Sequence, residues 1–152
     1  MVVCFRYFGR HGWYVFLVTK GGIKSIKGVA MSVIIVSPHF KRREFACHCG
    51  CGFEAVDVEL LQVLEDIRNH FNRSIRITSG CRCEAWNKRI GGSPKSYHVK
   101  AMASDIDVQW VPPRIVYDYI DQKYKDKYGL KVYSSWVHLD MRRKKWRDKG
   151  DV

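Results

Sequence analysis

The chain has 152 residues, of which 46% are hydrophobic and 28% charged, and its formal net charge is +12. This composition excludes a disordered or fibrous protein, and the length predicts one folded domain with a substantial core. The positive charge belongs to the two ends. Residues 1–43 contain eight Lys or Arg and no acid, and residues 141–152 have a net charge of +4, whereas residues 44–140 are neutral.

Basic ends favour an anionic partner, such as nucleic acid, membrane headgroups or an anionic bacterial envelope. Basic tails that are simply solvated and bind no partner are the alternative interpretation. A nucleic-acid-binding domain more often has its positive face on the folded core. We therefore expect no nucleic acid among the partners of this protein.

The first 30 residues contain short apolar runs interrupted by Arg6, Arg10 and His11. The longest run, residues 13–18, is far shorter than the ~20 residues needed to cross a bilayer. We recognise no clear signal peptide. A β-hairpin, a weak membrane-surface anchor and sequence upstream of the true start all remain open. We favour a dispensable extension over residues 1–30, a domain over residues 31–147 and a tail over residues 148–152.

Downstream, the hydrophobic pattern alternates between helical and strand periods. Asp57 is a candidate N-cap for a helix with an apolar face that reaches Phe71. The later elements are a strand at 74–79, a short helix at 84–90, a strand at 104–110, a helix from Pro112 to about 127 ended by Gly129, and strands at 130–133 and 135–141. This order predicts an α+β fold with helices packed against a small antiparallel sheet.

Three side chains are candidates for a metal site. His98 and Asp105 flank the start of a predicted strand, and His138 lies in the last predicted strand. Two neutral imidazoles and a carboxylate can hold Zn²⁺ and leave one position for water. If the two strands are neighbours, their period of two brings Asp105 and His138 together. On spacing alone, a buried His, a strand-end Asp and an unrelated His explain the pattern equally well.

The order of several motifs is more specific than the spacing. Ser96-x-His98, Ala103-x-Asp105 and Val137-His138-x-Asp140 resemble the D-alanyl-D-alanine carboxypeptidase superfamily of zinc peptidases, with its hedgehog/DD-peptidase-like fold. Within it, the chain is most similar to small phage and bacterial peptidoglycan peptidases. The similarity extends upstream through residues 77–83 and 37–52, and covers roughly residues 36–147. The resemblance implies one catalytic Zn²⁺ held by His98, Asp105 and His138.

The resemblance also implies roles for the residues around the metal. Arg82, together with Ser96, would bind substrate or the developing oxyanion, unless Arg82 is an ordinary surface arginine. Asp140 would act as the general base, as in the His-x-Asp subgroup, or would orient a ligand imidazole. The chain departs from the pattern twice. Ser135 stands where many members have an acidic base, and Ala101 stands where the pattern has Gly.

Five cysteines form two groups, Cys47, Cys49 and Cys51 in one and Cys81 and Cys83 in the other, and Cys4 lies apart. A second, structural zinc site from Cys47, Cys49 or Cys51 with Cys83 is one interpretation, and a disulfide such as Cys47–Cys83 is another. The spacings are too short and irregular for a standard zinc ribbon or finger. The sequence therefore favours a disulfide or free thiols over a second metal.

The resemblance predicts a zinc-dependent peptidoglycan peptidase, either a D-Ala-D-Ala carboxypeptidase or a stem-peptide endopeptidase. An endolysin-type phage lysis enzyme is the natural setting: a monomer made in the cytoplasm of a bacterial host that acts in the periplasm or cell wall. The alternative is a catalytically impaired, zinc-bound module that binds the cell wall or belongs to a virion. Ser135 and Ala101 favour this alternative.

Overall fold

A computed structural model describes residues 37–150 and, as backbone only, three strands near the N-terminus. These are β1 (Cys4–Gly9), β2 (Gly12–Thr19) and β3 (Gly22–Ser25), paired as an antiparallel sheet in the order β1-β2-β3. They belong to a separate unit that ends at Ile34, close to the predicted end of the extension at residue 30. That this extension is dispensable stays a prediction.

The second unit contains a 3₁₀ helix, three α-helices and a five-stranded sheet. In chain order its elements are the 3₁₀ helix Arg42–Phe45, α1 (Val58–Phe71), β4 (Ile75–Ser79), α2 (Glu84–Arg89), β5 (Ala103–Val108), α3 (Pro113–Lys123), β6 (Gly129–Val132), β7 (Val137–Asp140) and β8 (Trp146–Asp148). The strand order is β4-β5-β7-β6-β8, and every pair is antiparallel except β6 with β8. The predicted α+β fold is confirmed, with a small sheet that is antiparallel except for the β6–β8 pair.

The core lies between the sheet and the helices. Asp57 caps α1 as predicted, because its carboxylate accepts from the backbone N–H groups of Glu59 and Leu60. The buried face of α1 carries Leu60, Leu64 and Ile67, and α3 contributes a second buried face to the same cluster with Val116, Tyr117 and Ile120. Burial of these apolar and aromatic side chains is the main stabilising term of the unit.

Several bounds differ from the sequence prediction, since β5 ends at Val108, β7 begins at Val137, and Gly129 begins β6 instead of ending a helix. Helix α3 ends at Lys123 rather than near 127, because the three residues after Tyr124 are all exposed and offer no face to bury. Strand β8 was not predicted, since three residues with an exposed Trp146 show no periodicity. Within the described part of the chain, no helix has both the length and the apolar character needed to cross a membrane.

Strand register places the candidate metal residues. In the β5–β7 pair, Asp105 lies directly opposite His138 and Ala103 lies opposite Asp140. In the β6–β7 pair, Gly129 lies opposite Asp140. Alternate residues of β5 and β7, such as Ile106 and Leu139, point into the core. The polar residues therefore share the opposite face of the sheet, where a loop can close over them.

Candidate metal centre

Side-chain atoms of His98, Asp105 and His138 converge beside the middle of the sheet. His98 Nε2 lies 3.2 Å from His138 Nδ1 and 3.3 Å from Asp105 Oδ1, and His138 Nδ1 lies 2.8 Å from the same carboxylate oxygen. Ligands about 2.1 Å from a tetrahedral Zn²⁺ are about 3.4 Å apart, so the three atoms are spaced as zinc ligands are. The fold thus brings together three residues that are far apart along the chain and that the sequence predicts as metal ligands.

The outer nitrogen of each histidine already has a partner. His98 Nδ1 lies 2.7 Å from the carbonyl oxygen of Gly80, which can only accept, so this nitrogen has the proton and Nε2 has the lone pair. His138 Nε2 lies 3.2 Å from Asp140 Oδ2, and a proton there leaves the lone pair on Nδ1. Both lone pairs, and an anionic oxygen, then face one point. That donor set fits a divalent cation.

The pKa values of His138 and Asp105 are both shifted in the direction expected for a site that attracts a cation. Burial alone would lower the pKa of His138, but the hydrogen bonds that its ring donates to Asp105 and Asp140, together with their negative charges, outweigh burial and raise that pKa. Burial alone would raise the pKa of Asp105, yet the imidazoles of His138 and His98, which can donate to its carboxylate when no metal is bound, hold that pKa well below its usual range. Asp105 is therefore an anion at neutral pH, as a metal ligand must be.

Arg82 lies on the other side of the candidate ligand carboxylate. Its Nη2 donates to Asp105 Oδ2 at 2.8 Å, and its Nε donates to Ser79 Oγ at 3.0 Å. The Arg82 side chain is mostly buried, at 16% exposure, so it is not an ordinary surface arginine. The guanidinium fixes the orientation of Asp105 and also lines the cleft in front of the three converging atoms.

The cleft in front of these atoms has a volume of about 420 Å³ and a basic wall. Four cationic side chains line it, namely Arg82, Lys95, Lys131 and Arg142, against two carboxylates, Asp105 and Asp140. Tyr97, Tyr133 and Trp146 add aromatic surface, and Ser96 also lines the cleft, with its Oγ accepting from the backbone N–H of His98. A cleft with this lining suits a small anionic or polar ligand.

The sequence profile of the family described as Peptidase M15 matches residues 38–140, about two thirds of the chain. The chain belongs to the peptidase M15 family. The resemblance to D-alanyl-D-alanine carboxypeptidases drawn from the motifs is thereby confirmed, and M15 peptidases are zinc-dependent. No curated protein and no solved structure matches the chain.

Asp140 borders the cleft, where its carboxylate lies between His138 and Arg142. Its side chain is fully buried, and Arg142 donates to both carboxylate oxygens, from Nε at 2.8 Å and from Nη2 at 2.6 Å. Burial would raise the pKa of Asp140, but hydrogen bonds from His138 and Arg142 lower it to about 2. Asp140 contacts the nitrogen of His138 that faces away from His98 and Asp105.

The two departures from the M15 pattern have different structural consequences. Ala101 adopts a left-handed backbone with φ +56°, which explains why the pattern has Gly there. Its backbone still closes the turn after His98 by donating from Ala101 N to His98 O, and it joins this loop to the start of α1 by accepting from Asp57 N. Ser135 is exposed in the turn between β6 and β7, and its side chain has no carboxylate to accept a proton.

Sequence reasoning missed three contributors to this site. Arg142 lies two residues after Asp140 and donates to both of its carboxylate oxygens, and no motif in the sequence predicts this pairing. Gly80 supplies the carbonyl for His98, and a Cβ there would lie 2.4 Å from the backbone of Phe45. At Gly129, a Cβ would lie 2.4 Å from Asp140 Oδ2 and 2.5 Å from Arg142 Nε. Both glycines mark close approaches that only the folded structure reveals.

Proposed function

We propose that this M15 protein is a zinc-dependent peptidase that hydrolyses the stem peptides of peptidoglycan. The observation that carries the proposal is the convergence of two imidazole lone pairs and one carboxylate oxygen within 3.3 Å of one another. His98 Nε2, His138 Nδ1 and Asp105 Oδ1 are the proposed ligand atoms. When bound there, a zinc ion would acidify a water molecule and polarise the scissile carbonyl.

The protein groups around the three proposed ligand atoms hold these side chains in place and orient them. Gly80 and Asp140 fix the tautomers of His98 and His138, so that neither proton competes for the metal position. Arg82 keeps Asp105 ionised and aligned, and its guanidinium faces the cleft, where it would bind a substrate carboxylate or the developing oxyanion. Ser96 lines the cleft as a second polar contact for substrate. These roles are the proposed assignments for Arg82 and Ser96.

The charge of the cleft supports the choice of substrate class. Stem peptides of peptidoglycan have free carboxylates, and the cleft is lined by four cations and two carboxylates, an excess of two positive charges. Arg82 and Arg142 pair with those two carboxylates and Lys131 pairs with Asp148, so part of this positive charge is compensated. The basic ends of the chain would add a less specific attraction to an anionic wall. Both features favour an anionic peptide over a cationic one, without choosing between a terminal D-Ala-D-Ala bond and a bond within the stem.

For Asp140 we propose the positioning role, as the partner that orients His138. Its carboxylate is fully buried, is held by Arg142 at both oxygens, and contacts the far nitrogen of the imidazole ring. A general base must reach the proton that it removes, directly or through one water. The proton-accepting role of Asp140 stays a prediction, and the two roles differ in what happens when zinc is saturating.

Digestion of purified peptidoglycan tests the function. We expect the zinc-supplemented full chain to release peptide fragments or D-Ala, which mass spectrometry identifies and thereby assigns the bond. His138→Ala should release nothing, whereas His70→Ala, which removes a histidine stacked on Tyr119 away from the cleft, should behave like the wild type. Chelation should abolish release and added zinc restore it. Release that survives both chelation and His138→Ala would refute the metal mechanism.

The second candidate is a zinc-bound, catalytically impaired module that binds the cell wall or forms part of a virion. The observation in its favour is Ser135, an exposed hydroxyl at the position where many family members have their acidic base. This candidate predicts that the chain sediments with purified peptidoglycan and holds zinc but releases no fragments. Fragment release by the wild type, lost in His138→Ala, would rule it out.

The biological setting is part of the same proposal. A compact catalytic unit with basic ends fits an endolysin-type enzyme that is made in the cytoplasm of a bacterial host and acts on the wall, as a monomer. Lysis of host cells after expression together with a membrane-permeabilising protein, and not without it, would support this setting. Lysis that needs no permeabilising partner would contradict it.

A further inference from the structure

Four cysteine thiols meet on the side of the unit where the loop after the 3₁₀ helix contacts the start of α2. Cys47, Cys49 and Cys51 come from that loop, and Cys83 is the N-cap of α2. Their four Sγ atoms all lie within 4.8 Å of one another. All five cysteines within the described residues are free thiols. We call Cys47, Cys49, Cys51 and Cys83 the thiol cluster.

We propose that the thiol cluster binds a structural Zn²⁺ ion as a tetrahedral four-thiolate site, separate from the His98–Asp105–His138 centre. Zn–S bonds of about 2.3 Å put the sulfurs of such a site about 3.8 Å apart. Cys49 Sγ lies 3.4 Å from Cys47 Sγ and 3.5 Å from Cys83 Sγ. A disulfide needs about 2.05 Å between its sulfurs, so the cluster is spaced for a shared ion rather than for a covalent pair.

Local backbone geometry explains how such short spacings can supply three ligands. Gly50 and Gly52 have φ angles of +76° and +78°, and a Cβ at either would meet no atom within 4 Å. These two left-handed residues fold the Cys-Gly-Cys-Gly segment back on itself, so that Cys49 and Cys51 face the same point as Cys47. Zinc ribbons and fingers bring their cysteines together through a regular spacing, which this loop does not need.

Backbone donors already point at the sulfurs, as they do around bound thiolates. Cys83 N–H donates to Cys47 Sγ at 3.3 Å, and Trp86 N–H donates to Cys83 Sγ at 3.4 Å. These donors delocalise negative charge on sulfur and stabilise a thiolate set that would otherwise repel itself. Soft thiolate ligands in a compact tetrahedral arrangement select Zn²⁺ or iron over magnesium and calcium.

The ion would support the catalytic cleft through residues 80–83. In this segment Gly80 O accepts from His98, Arg82 donates to Asp105, and Cys83 belongs to the thiol cluster. The start of the cysteine-bearing loop is joined to the same segment, because Cys81 N donates to the carbonyl oxygen of Phe45 at 2.9 Å. A zinc ion across the cluster would therefore hold Arg82 and Gly80 in register with the candidate metal centre.

Cys81 provides a matched control for cysteine chemistry. It is buried beside the cluster, but its thiol donates to the carbonyl oxygen of Phe53 at 3.1 Å and it is not one of the four converging sulfurs. Substitution of Cys81 removes a thiol from the same segment and leaves the proposed ligand set complete. Cys49 is the best ligand to substitute, because its exposure makes loss of the fold least expected.

Metal content of the purified full chain, handled under reducing conditions without chelator, tests the site. We expect about two zinc ions per wild-type chain, about one in His138→Ala, about one in Cys49→Ser, and about two in Cys81→Ser. Equal zinc in Cys49→Ser and the wild type, or no zinc in His138→Ala, would overturn the four-thiolate site. If only the candidate metal centre failed, the wild type and His138→Ala would each hold one ion, so the two proposals fail separately.

A second measurement on the unmodified wild type does not depend on the folding of any variant. We expect the cluster thiols to resist alkylation in the zinc-loaded protein and to react once a strong chelator has removed the metal, as read by mass spectrometry. Cluster thiols that react equally with and without zinc, a disulfide linking two of them in the reduced preparation, or iron with inorganic sulfide in place of zinc would each overturn the proposal.

Discussion

Arg142 donates to both carboxylate oxygens of Asp140, and Asp140 in turn holds the outer nitrogen of His138. The Asp140 carboxylate is fully buried, whereas the Arg142 side chain is 25% exposed, with its guanidinium 5.1 Å from the ring centre of Tyr97 and 4.5 Å from that of Trp146. Gly129 leaves the space that the pair occupies. The centre thus depends on an ion pair whose carboxylate is buried and whose guanidinium borders the cleft.

The first prediction concerns the stability of this ion pair. Asp140 is fully buried whereas Arg142 is 25% exposed, so Arg142→Met, which leaves the buried carboxylate without its cation, should lower the free energy of unfolding by about 3–5 kcal/mol. Asp140→Ala combined with Arg142→Met should cost less than the sum of the two single changes, because Asp140→Ala removes the charge that Arg142→Met leaves unpaired. Urea unfolding of the four proteins without zinc measures this coupling. Additivity within about 0.5 kcal/mol would show that the two side chains do not interact.

The second prediction separates the two roles of Asp140. If Asp140 positions His138, Asp140→Ala should weaken zinc binding about 10–100-fold, and saturating zinc should restore most of the turnover. If Asp140 is the general base, turnover should fall by about 10²–10⁴ even when zinc is saturating. Turnover against zinc concentration distinguishes them, at a temperature where circular dichroism shows the variant folded. Arg142→Met leaves the carboxylate in place and should also weaken zinc binding, a change that the base role alone does not predict.

The third prediction concerns Ala101, whose left-handed backbone closes the loop of His98. Ala101→Gly should change the free energy of unfolding by less than about 1 kcal/mol, because relief of backbone strain is offset by the freedom that glycine adds to the unfolded chain. Ala101→Val should cost about 1–3 kcal/mol, since a β-branched residue strongly disfavours positive φ. Urea unfolding measures both. A valine variant as stable as the wild type would mean that residue 101 is not left-handed.

The fourth prediction is a pH dependence away from the metal centre. Asp66 in α1 accepts from the hydroxyls of Tyr119 and Tyr124, at 2.9 and 3.0 Å, and from Lys123 Nζ at 2.5 Å. Burial would raise the pKa of Asp66, but these hydrogen bonds lower it below its usual value. The stabilisation is therefore present above the pKa of the unfolded state, about 4, and is lost as pH falls through the lower pKa of the folded state.

Asp66→Asn should accordingly cost about 1–3 kcal/mol at pH 7, and the difference from the wild type should shrink below about pH 4. The control is Asp118→Asn, which removes an exposed carboxylate paired with Arg114 one turn away and should cost less than about 0.5 kcal/mol. Urea unfolding across the pH range gives both differences. A gap between wild type and Asp66→Asn that widens as the pH falls would contradict the direction of the shift.

The parts of the fold that the sequence predicts are those with a strong local signal. The amphipathic face of α1 and its Asp57 cap follow from periodicity, as does the alternation that puts Asp105 and His138 on one side of their strands. Strand order is not a local property, so the parallel pairing of β8 with β6 had no signal. The early end of α3 depends on which residues find a surface to bury, and that is decided by tertiary packing.

The candidate site likewise contains residues that the sequence predicts and residues that it does not. Residue type and motif order identify His98, Asp105 and His138, because their chemistry is that of zinc ligands. Their supporting partners, Gly80 and Arg142, act through a carbonyl and through an ion pair, which leave no distinctive pattern in one sequence. The thiol cluster shows the same limit, since left-handed turns at Gly50 and Gly52, rather than a standard spacing, bring its sulfurs together.

Anomalous diffraction at the zinc edge, from crystals of the zinc-loaded protein, tests the central claim most directly. We predict a peak about 2.0–2.2 Å from His98 Nε2, Asp105 Oδ1 and His138 Nδ1 together. Absence of a peak among these three atoms, or an ion bound through His138 Nε2 instead of Nδ1, would contradict the account of the metal centre.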